Sequence, residues 1–395
     1  MVRDWRRLPT YWYLIAGLLL LVTLIYANHL RTAVTPSNII FTIEALDFPV
    51  FWYGVWIAGG MGLGAYVVAT LAKERMEASF QQHVPIALQE TAVSTLSLPA
   101  HIQTALTKRK ITTVGDLLRQ WGLNPLELGV KQVDLETVDA ALRTVEGVEP
   151  AWLDDAPWRQ WNPDHVWTGL IWCLIPAVIG ARLYHVLTPS PSMAAVGIHS
   201  PLDYFQNPYQ LINLRNGGLG IYGGIAGGAL GLWLFTRRYR LSTIGWADLA
   251  VVGVILGQVF GRWGNFFNQE LYGSPTSVPW AVYIDPVHRL PQVSEYGRFH
   301  PAFLYESLWS LLTFAILMIL LKRYGDKLLP GDMMGVYLIF YAIGRILLEM
   351  VRLDSRAILI AGFSINIAIA TLVSLAVAIM MLVWMVGRRV KIKKQ

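Results

Sequence analysis

The chain has 395 residues, of which 54% are hydrophobic and 15% charged, and its mean hydropathy is +0.44. This composition is too apolar for an ordinary soluble domain of this length and indicates a polytopic membrane protein. The net charge of +6 comes from short basic runs beside apolar segments, where Lys and Arg act as topology signals, so nucleic-acid binding is not indicated. The single cysteine, Cys173, lies in an apolar span, which excludes an intrachain disulfide and a cysteine metal site.

Eight apolar segments are long enough to cross a hydrocarbon core about 30 Å thick, which requires about 20 helical residues. They are residues 11–27, 50–71, 166–187, 217–235, 246–264, 303–321, 333–351 and 363–386. The first segment has the outline of a signal peptide, but no small-residue cleavage site follows it, so we expect an uncleaved anchor. The predicted fold is an all-α polytopic membrane protein with about eight transmembrane helices.

Lys and Arg residues near the span ends gather on one side of this eight-span alternation. They are Arg3, Arg6, Arg7, Lys73, Arg75, Arg237, Arg238, Arg240, Lys322, Arg323, Lys327, Arg388, Arg389, Lys391, Lys393 and Lys394. Because cytoplasmic loops carry the excess of basic residues, this side is predicted to be the cytoplasm. Both termini are therefore predicted to be cytoplasmic.

Two polar stretches interrupt the spans. Residues 74–163 predict a cytoplasmic helical insertion, because apolar residues recur in them every three or four positions. Residues 265–302 include Pro275, Pro279, Pro286 and Pro291, together with Trp280 and Tyr283, and predict a small ordered extracytoplasmic cap. The predicted domain plan is an anchor with an outer loop (1–48), a first core helix (49–73), the insertion (74–163) and the remaining core with the cap (164–395).

The polar residues of the spans gather at the predicted outer ends. They are Tyr53, Arg182, Tyr184, His185, Tyr222, Arg262, Asn265, Glu270, His300, Glu306, Arg345, Glu349 and Arg352. Side chains that simply snorkel to water would populate both ends of the bundle. Ionisable groups that gather toward one face of a membrane bundle instead indicate a functional site.

The glycine-rich run at residues 217–231 presents small residues three and four positions apart, which lets helices pack closely in lipid. A formal G-x-G-x-x-G occurs at Gly218, Gly220 and Gly223, but no predicted strand precedes it, so a dinucleotide site is rejected. Gly217 and Gly218 at a helix N-terminus could also direct backbone N–H groups toward an anion.

Six blocks of sequence, in this order, resemble the prolipoprotein diacylglyceryl transferase family. They are residues 51–54 (FWYG), 180–184 (GARLY), 217–224 (GGLGIYGG), 261–270 (GRWGNFFNQE), 300–306 (HPAFLYE) and 341–352 (YAIGRILLEMVR). The block at 261–270 is the specific one, and the blocks together cover most of residues 49–71 and 166–386.

The resemblance implies transfer of the diacylglyceryl group of phosphatidylglycerol to the lipobox cysteine thiol of a prolipoprotein in the bacterial plasma membrane. It implies no cofactor and no metal, and its partners are phosphatidylglycerol, the precursor signal peptide and membrane lipids. The thiol comes from the substrate, so the enzyme needs no cysteine of its own. A guanidinium fork is suited to phosphate, and a fixed cation stabilises the charge that grows on the leaving group.

The resemblance also assigns roles to residues of this sequence. Catalytic roles are expected for Arg262, Arg345, Glu270 and Tyr222, and substrate-binding roles for Tyr53, Arg182, Asn265, Asn268, Gly273, His300, Glu306 and Glu349. Among these, Arg182 and Glu349 are expected to hold the other side chains by ion pairing.

Three features depart from the family pattern. The family has a histidine at the position of Tyr222, and a tyrosine hydroxyl is a poor base at neutral pH. Either Tyr222 positions substrate, or Glu270 or another group accepts the thiol proton. The first span is additional to the usual seven. The insertion is similar to the helix-hairpin-helix module at the C-terminus of RNA polymerase alpha subunits, but one basic triplet, residues 108–110, does not predict nucleic-acid binding.

Other classes of membrane protein remain as alternatives. A transporter would place polar groups near the midplane and repeat its two halves. An intramembrane hydrolase would show a metal-binding or nucleophile motif in a span. The sequence shows neither pattern, whereas a lipid-binding protein without catalysis stays open.

Overall fold

The computed structural model describes residues 8–189, 193–194, 197–213, 218–353, 358–360, 363–365 and 369–394. The helices in this part of the chain are α1 (Thr10–Thr32), α2 (Trp52–His83), α3 (Ile86–Glu90), α4 (Ala100–Lys108), α5 (Val114–Leu123), α6 (Leu135–Arg143), α7 (Pro150–Asp155), α8 (Asp164–Leu187), α9 (Pro201–Gln206), α10 (Tyr209–Ile212), α11 (Ile221–Tyr239), α12 (Thr243–Gly261), α13 (Trp263–Asn268), α14 (Ala302–Tyr324), α15 (Asp332–Glu349) and α16 (Ile369–Lys394). Three antiparallel pairs join β1 (Ile39–Ile43) to β2 (Phe48–Phe51), β3 (Val282–Tyr283) to β4 (Arg298–Phe299), and β5 (Ile358–Ile360) to β6 (Phe363–Ile365).

Six stretches among the described residues are long and apolar enough to cross a membrane. They are Thr10–Thr32, Trp52–His83, Asp164–Leu187, Thr243–Asn268, Ala302–Lys327 and Thr371–Ile392. The other two predicted spans form helices α11 and α15, which carry two and three charged residues respectively. The prediction of an all-α polytopic membrane protein is confirmed.

The structure changes three predicted span boundaries. Helix α2 runs to His83 instead of ending at Leu71, because Met76 and Phe80 pack into the core of the insertion. The fifth span is broken at Arg262, between α12 and α13. The eighth predicted span began at Phe363, but that residue lies in the β5–β6 hairpin, and α16 begins at Ile369. Arg3, Arg6, Arg7 and Gly217 lie outside the described residues.

The chain forms two compact units, and the first consists of Met1–Val68 with Ala247–Gln395. In this unit α2 and α12 approach closely at glycines. A Cβ on Gly64 would lie 2.5 Å from the carbonyl oxygen of Gly253, and one on Gly60 would lie 3.0 Å from that of Gly257. Glycines therefore allow the helix that carries Tyr53 to pack against the helix that leads to Arg262.

The second unit, Ala69–Trp246, contains the helical insertion and the α8–α11 pair. A Cβ on Gly223 would lie 2.1 Å from the Gly180 carbonyl oxygen, and one on Gly227 would lie 2.0 Å from that of Pro176. These contacts match the packing interpretation of the glycine-rich run. Helix α11 begins only at Ile221, so Gly218 lies before the helix and not in its first turn.

The insertion is helical, as predicted, and has a hydrophobic core of its own. Fully buried members include Ile102 and Leu106 on α4, Leu117 on α5, and Trp158, which follows α7. Helix α5 begins with a capping box, in which the Thr113 side chain accepts from the Asp116 N–H while the Asp116 side chain accepts from the Thr113 N–H. The insertion is thus an ordered helical subdomain.

Candidate active site

The specific sequence block forms a helix break followed by the short helix α13. Arg262 occupies the position between α12 and α13, and its backbone N–H donates to the Gln258 carbonyl at 3.3 Å. The next residue, Trp263, is buried, and its Nε1 donates to Ser307 Oγ on α14 at 3.3 Å. Ser307 Oγ in turn donates to the Val259 carbonyl at 2.7 Å. This network holds the break against α14.

Arg262 lies in an ion-pair cluster with residues of α14 and of the segment after α15. Its Nε pairs with Glu306 Oε2, and the other oxygen of Glu306 lies 3.8 Å from Nη1 of Arg352. One largely buried carboxylate is therefore shared by two arginines. Near the end of α15, Arg345 Nη2 lies 3.4 Å from Glu349 Oε2, and the Thr371 hydroxyl on α16 donates to that same oxygen at 3.2 Å.

The turn after α13 presents a carboxylate held by two amides. Both Asn265 Nδ2, at 3.0 Å, and Asn268 Nδ2, at 3.2 Å, donate to Oε1 of Glu270. Gln269 and Leu271 on either side of Glu270 have positive φ angles of 53°, so the chain reverses sharply there. Asn265 is buried and Glu270 is exposed, so the carboxylate lies at the surface on a buried support.

Gly273 and His300 lie side by side where the cap returns to the helices. The Gly273 N–H donates to the His300 carbonyl at 2.9 Å, and Gly273 also pairs with Arg352 in an antiparallel bridge. A Cβ at Gly273 would lie 2.6 Å from the Val351 carbonyl oxygen, so only glycine fits without a shift. The His300 ring contacts the Tyr305 hydroxyl through Nδ1 at 3.0 Å.

Tyr53, at the start of α2, packs directly on α13. A Cβ on Gly264 would lie 2.6 Å from Cδ2 of the Tyr53 ring, so the glycine leaves room for the ring. The Tyr53 side chain remains partly exposed. The first unit therefore contains ten of the predicted site residues: Tyr53, Arg262, Asn265, Asn268, Glu270, Gly273, His300, Glu306, Arg345 and Glu349.

The other two predicted residues belong to the second unit. Arg182 is buried, and its guanidinium donates to the carbonyls of Leu211, Asn213 and Gly218 at 2.8 to 3.0 Å and to that of Gln210. It therefore fixes the segment that leads into α11. Tyr222, in the first turn of α11, is half exposed, and its ring is tilted against that of Tyr184, with ring centroids 5.8 Å apart.

An ordered polar turn at residues 199–203 precedes the segment that Arg182 contacts. The backbone N–H groups of His199 and Ser200 donate to the Asp203 carboxylate at 2.7 and 2.8 Å, and these bonds hold the pKa of Asp203 below its usual value. Ser200 completes the capping box at the start of α9.

Comparison with known proteins decides the family. A family model described as prolipoprotein diacylglyceryl transferase matches residues 149–386, which is more than half of the chain. The chain belongs to this family. Within the matched range lie Arg182, Tyr222, the 261–270 block, His300, Glu306 and the Arg345–Glu349 pair, whereas Tyr53 precedes it.

Individual members of the family give the same result. A phosphatidylglycerol–prolipoprotein diacylglyceryl transferase of Frankia alni is 44% identical over 214 residues, which is 54% of this chain and 53% of the relative. Those of Chloroflexus aggregans and Gloeobacter violaceus are each 38% identical, over 55% and 59% of this chain and 72% and 81% of their own lengths. The matched segment thus spans about half the length of the Frankia protein.

Two residues that organise the candidate site were not predicted from the sequence. Arg352 was noted only as polar, yet it shares Glu306 with Arg262 and pairs with Gly273. Gln269 was not singled out, yet its side chain exchanges two hydrogen bonds with Asp285, at 2.6 and 2.7 Å. Arg352 could have been found from its position about one helical turn after Glu349. The Gln269 contact could not, because it depends on how the cap folds.

Proposed function

We propose that this protein transfers the diacylglyceryl group of phosphatidylglycerol to the lipobox cysteine of a prolipoprotein. The cysteine sulfur forms a bond to the glyceryl carbon while the bond from that carbon to the phosphate oxygen breaks. The leaving glycerol phosphate keeps the electron pair, and the thiol proton passes to an acceptor. The products are a thioether-linked diacylglyceryl precursor and glycerol phosphate.

The observation that carries this proposal is the state of the Arg262 guanidinium. Its Nε pairs with Glu306, and among the described residues no other side chain pairs with its two terminal nitrogens. The side chain is 35% exposed, more than Arg345 at 19% or Arg352 at 15%. A guanidinium fixed at one nitrogen can present its other two to a phosphodiester, and the Nη fork suits bidentate phosphate binding.

Arg345 supports the same chemistry from α15. Its Nη2 pairs with Glu349, while its buried Nε has no hydrogen-bond partner among the described residues. The side chain is 19% exposed, and its guanidinium pairs with one carboxylate, so part of its charge remains available to an anion. We assign Arg262 and Arg345 to the substrate phosphate, where they stabilise the negative charge that develops as the C–O bond breaks.

The remaining residues receive roles that follow from their contacts. Glu270 is an exposed carboxylate supported by two amides, so it is our candidate acceptor of the thiol proton. Tyr222 is assigned to substrate positioning, since a phenol is a poor base at neutral pH. Replacing Tyr222 with Phe should therefore retain measurable turnover, whereas Glu270→Gln should reduce kcat at least tenfold while the peptide still binds.

We infer further that the protein lies in a bacterial plasma membrane with both termini in the cytoplasm. Helix α14 supports this orientation, because Glu306 lies near its N-terminus, whereas Lys322 and Arg323 lie in its last turn. Seventeen residues of helix separate Glu306 from Arg323, about 25 Å along the axis. The basic end then faces the cytoplasm, and the candidate site faces the outer leaflet, where secreted precursors arrive.

The deciding experiment measures transfer from radiolabelled phosphatidylglycerol to a synthetic lipobox peptide, with the mass of the peptide as a second readout. Wild-type protein should add one diacylglyceryl group and release glycerol phosphate. Arg262→Ala and Arg345→Ala should each lose at least a hundredfold in kcat/KM. The matched control is Arg323→Ala, an exposed arginine at the other end of α14.

Two outcomes would refute the proposal. Full activity in Arg262→Ala or in Arg345→Ala would show that the replaced arginine does not bind the substrate phosphate. Phosphatidylglycerol binding without any transfer by the wild-type protein would instead identify a lipid-binding protein without catalysis.

A further inference from the structure

The additional N-terminal span, α1, precedes the residues that match the family model. Most of its surface is apolar and exposed, as a lipid-facing anchor requires, including Leu20, Leu21 and Leu24. Its last two turns differ, because Tyr26 is 6% exposed and His29 only 1% exposed. A polar ring buried this deeply at the end of a span indicates a specific contact, since an apolar side chain would anchor the helix without desolvating polar atoms.

Both buried rings lie against the helix that carries the site. The Tyr26 ring packs edge-on against Trp263 and Phe266 of α13, with centroids 6.2 and 5.9 Å away, and against Phe303 of α14 at 5.6 Å. The His29 ring packs edge-on against Phe266 at 5.2 Å. Trp263 directly follows Arg262, and Phe266 directly follows Asn265. The end of α1 therefore supports the buried side of the candidate site.

The polar atoms of the same two side chains bind the cap, residues 265–302. The Tyr26 hydroxyl donates to the Trp280 carbonyl at 2.7 Å, and His29 Nε2 lies 3.0 Å from the backbone N of Tyr283 in β3. Because a backbone N–H can only donate, Nε2 must accept, which puts the imidazole hydrogen on Nδ1. Nδ1 then donates to the Val34 carbonyl at 3.1 Å, so both ring nitrogens are used.

The cap is in turn connected to the site on two sides. Asp285, two residues after β3, exchanges two hydrogen bonds with Gln269, the residue before Glu270. Trp280 Nε1 donates to the Tyr305 hydroxyl at 2.9 Å, and that hydroxyl contacts His300 Nδ1 at 3.0 Å. A shift of β3 would therefore move the turn that holds Glu270 and loosen the contacts of Tyr305, the neighbour of Glu306.

We propose that Tyr26 and His29 are positioning residues, which fix the cap against α13 and so set the binding geometry of the precursor peptide. This inference rests on the proposed transferase function only for its catalytic readout. Neither residue touches the reacting atoms, and both act through the backbone of residues 280–283. We assign the lipid phosphate to Arg262, just before α13, and to Arg345 on α15, so the effect should fall on the peptide and not on phosphatidylglycerol.

The first test uses kinetics of the full-length protein with the lipobox peptide and phosphatidylglycerol varied separately. Tyr26→Phe keeps the ring packing and removes one hydrogen bond, which should raise the KM for peptide roughly threefold to tenfold and leave the KM for lipid unchanged. The matched control is Tyr13→Phe, because Tyr13 lies on the same helix and is 62% exposed. An unchanged peptide KM in Tyr26→Phe, with only the active fraction reduced, would overturn the inference.

The second test does not depend on activity. Hydrogen exchange of the Tyr283 amide should be faster in His29→Leu, which cannot accept the hydrogen bond, and near wild type in His29→Gln, whose amide oxygen can. Equal protection of Tyr283 in wild type and His29→Leu would refute the positioning role. Should the wild-type protein transfer no lipid, the proposed function fails, while this exchange measurement still decides the role of α1.

Discussion

At the scale of single residues, glycines shape the site because they have no side chain where a neighbouring group must fit. Gly264 has no side chain where the Tyr53 ring lies, and Gly273 has none where the Val351 carbonyl lies. Gly261 belongs to the same sequence block, yet the nearest atom to a Cβ there, Cγ1 of Ile57, would be 3.9 Å away. Gly264 therefore has no room for a side chain, whereas Gly261, three residues earlier, has room for a methyl group.

We expect Gly264→Ala to reduce transfer activity at least tenfold and Gly261→Ala to leave it within about twofold. The added methyl at 264 must displace the Tyr53 ring or α13, and such overpacking typically costs about 1 to 3 kcal/mol. The measurement is transfer activity divided by the amount of folded protein, which is taken from the monodisperse peak in size-exclusion chromatography. Equal activities for the two variants would show that the Tyr53 position does not matter for the reaction.

At the scale of elements, the hydrophobic pattern predicted where helices cross the membrane but not where they break. The run from 246 to 264 reads as one span, yet the structure ends α12 at Gly261 and starts α13 at Trp263. Helix α14 contacts both sides of this break, because the Ser307 hydroxyl bonds both the Val259 carbonyl and the Trp263 indole. No local pattern contains that partner, so sequence periodicity could not find it.

The last helix shows a second non-local attachment. Arg388 and Arg389 of α16 both pair with Asp332 at the start of α15, and Asp332 is fully buried. The sequence analysis used these arginines only as topology signals. Their pairing shows that a basic run at a span end can also fasten two helices together.

Asp332→Asn should therefore lower the stability of the protein. Removing one partner of a buried ion pair leaves charge uncompensated and typically costs about 3 to 5 kcal/mol, and the partial exposure of the two arginines favours the lower end. The measurement is the thermal unfolding midpoint in detergent. Asp326→Asn, an exposed aspartate before α15, is the control, and the same midpoint for both variants would contradict the structural role.

At the scale of the whole molecule, composition was sufficient to predict the membrane class, the spacing of apolar residues in 74–163 to predict the helical insertion, and the six sequence blocks to predict the family. The pairing within the candidate site was not predictable in the same way. Glu306 was predicted to bind substrate, and the structure adds that it pairs with Arg262 and Arg352. Arg182 was predicted to form ion pairs, and the structure adds that its guanidinium donates to backbone carbonyls of the segment before α11. Residue identity indicates which groups matter, and tertiary contacts determine what each one binds.

The basic runs at the span ends predict how the whole molecule is oriented in the membrane. Two exposed positions report it: Val287 in the cap, 86% exposed, and Thr107 on α4 of the insertion. With Cys173 replaced by Ala, we expect Val287→Cys to react with a membrane-impermeant maleimide in intact bacterial cells. Thr107→Cys should react only after the cells are lysed, because the insertion is predicted to be cytoplasmic.

The two cysteine variants control each other, since both should react fully in detergent if both side chains are accessible. If Thr107→Cys were labelled in intact cells and Val287→Cys were not, the true topology would be the reverse of the predicted one. The candidate site would then face the cytoplasm, where an arriving precursor has not yet crossed the membrane, and the proposed transfer to a translocated lipobox cysteine would have to be abandoned. The expected pattern instead places the cap, Glu270 and the Arg262–Glu306 pair on the side to which the precursor is delivered.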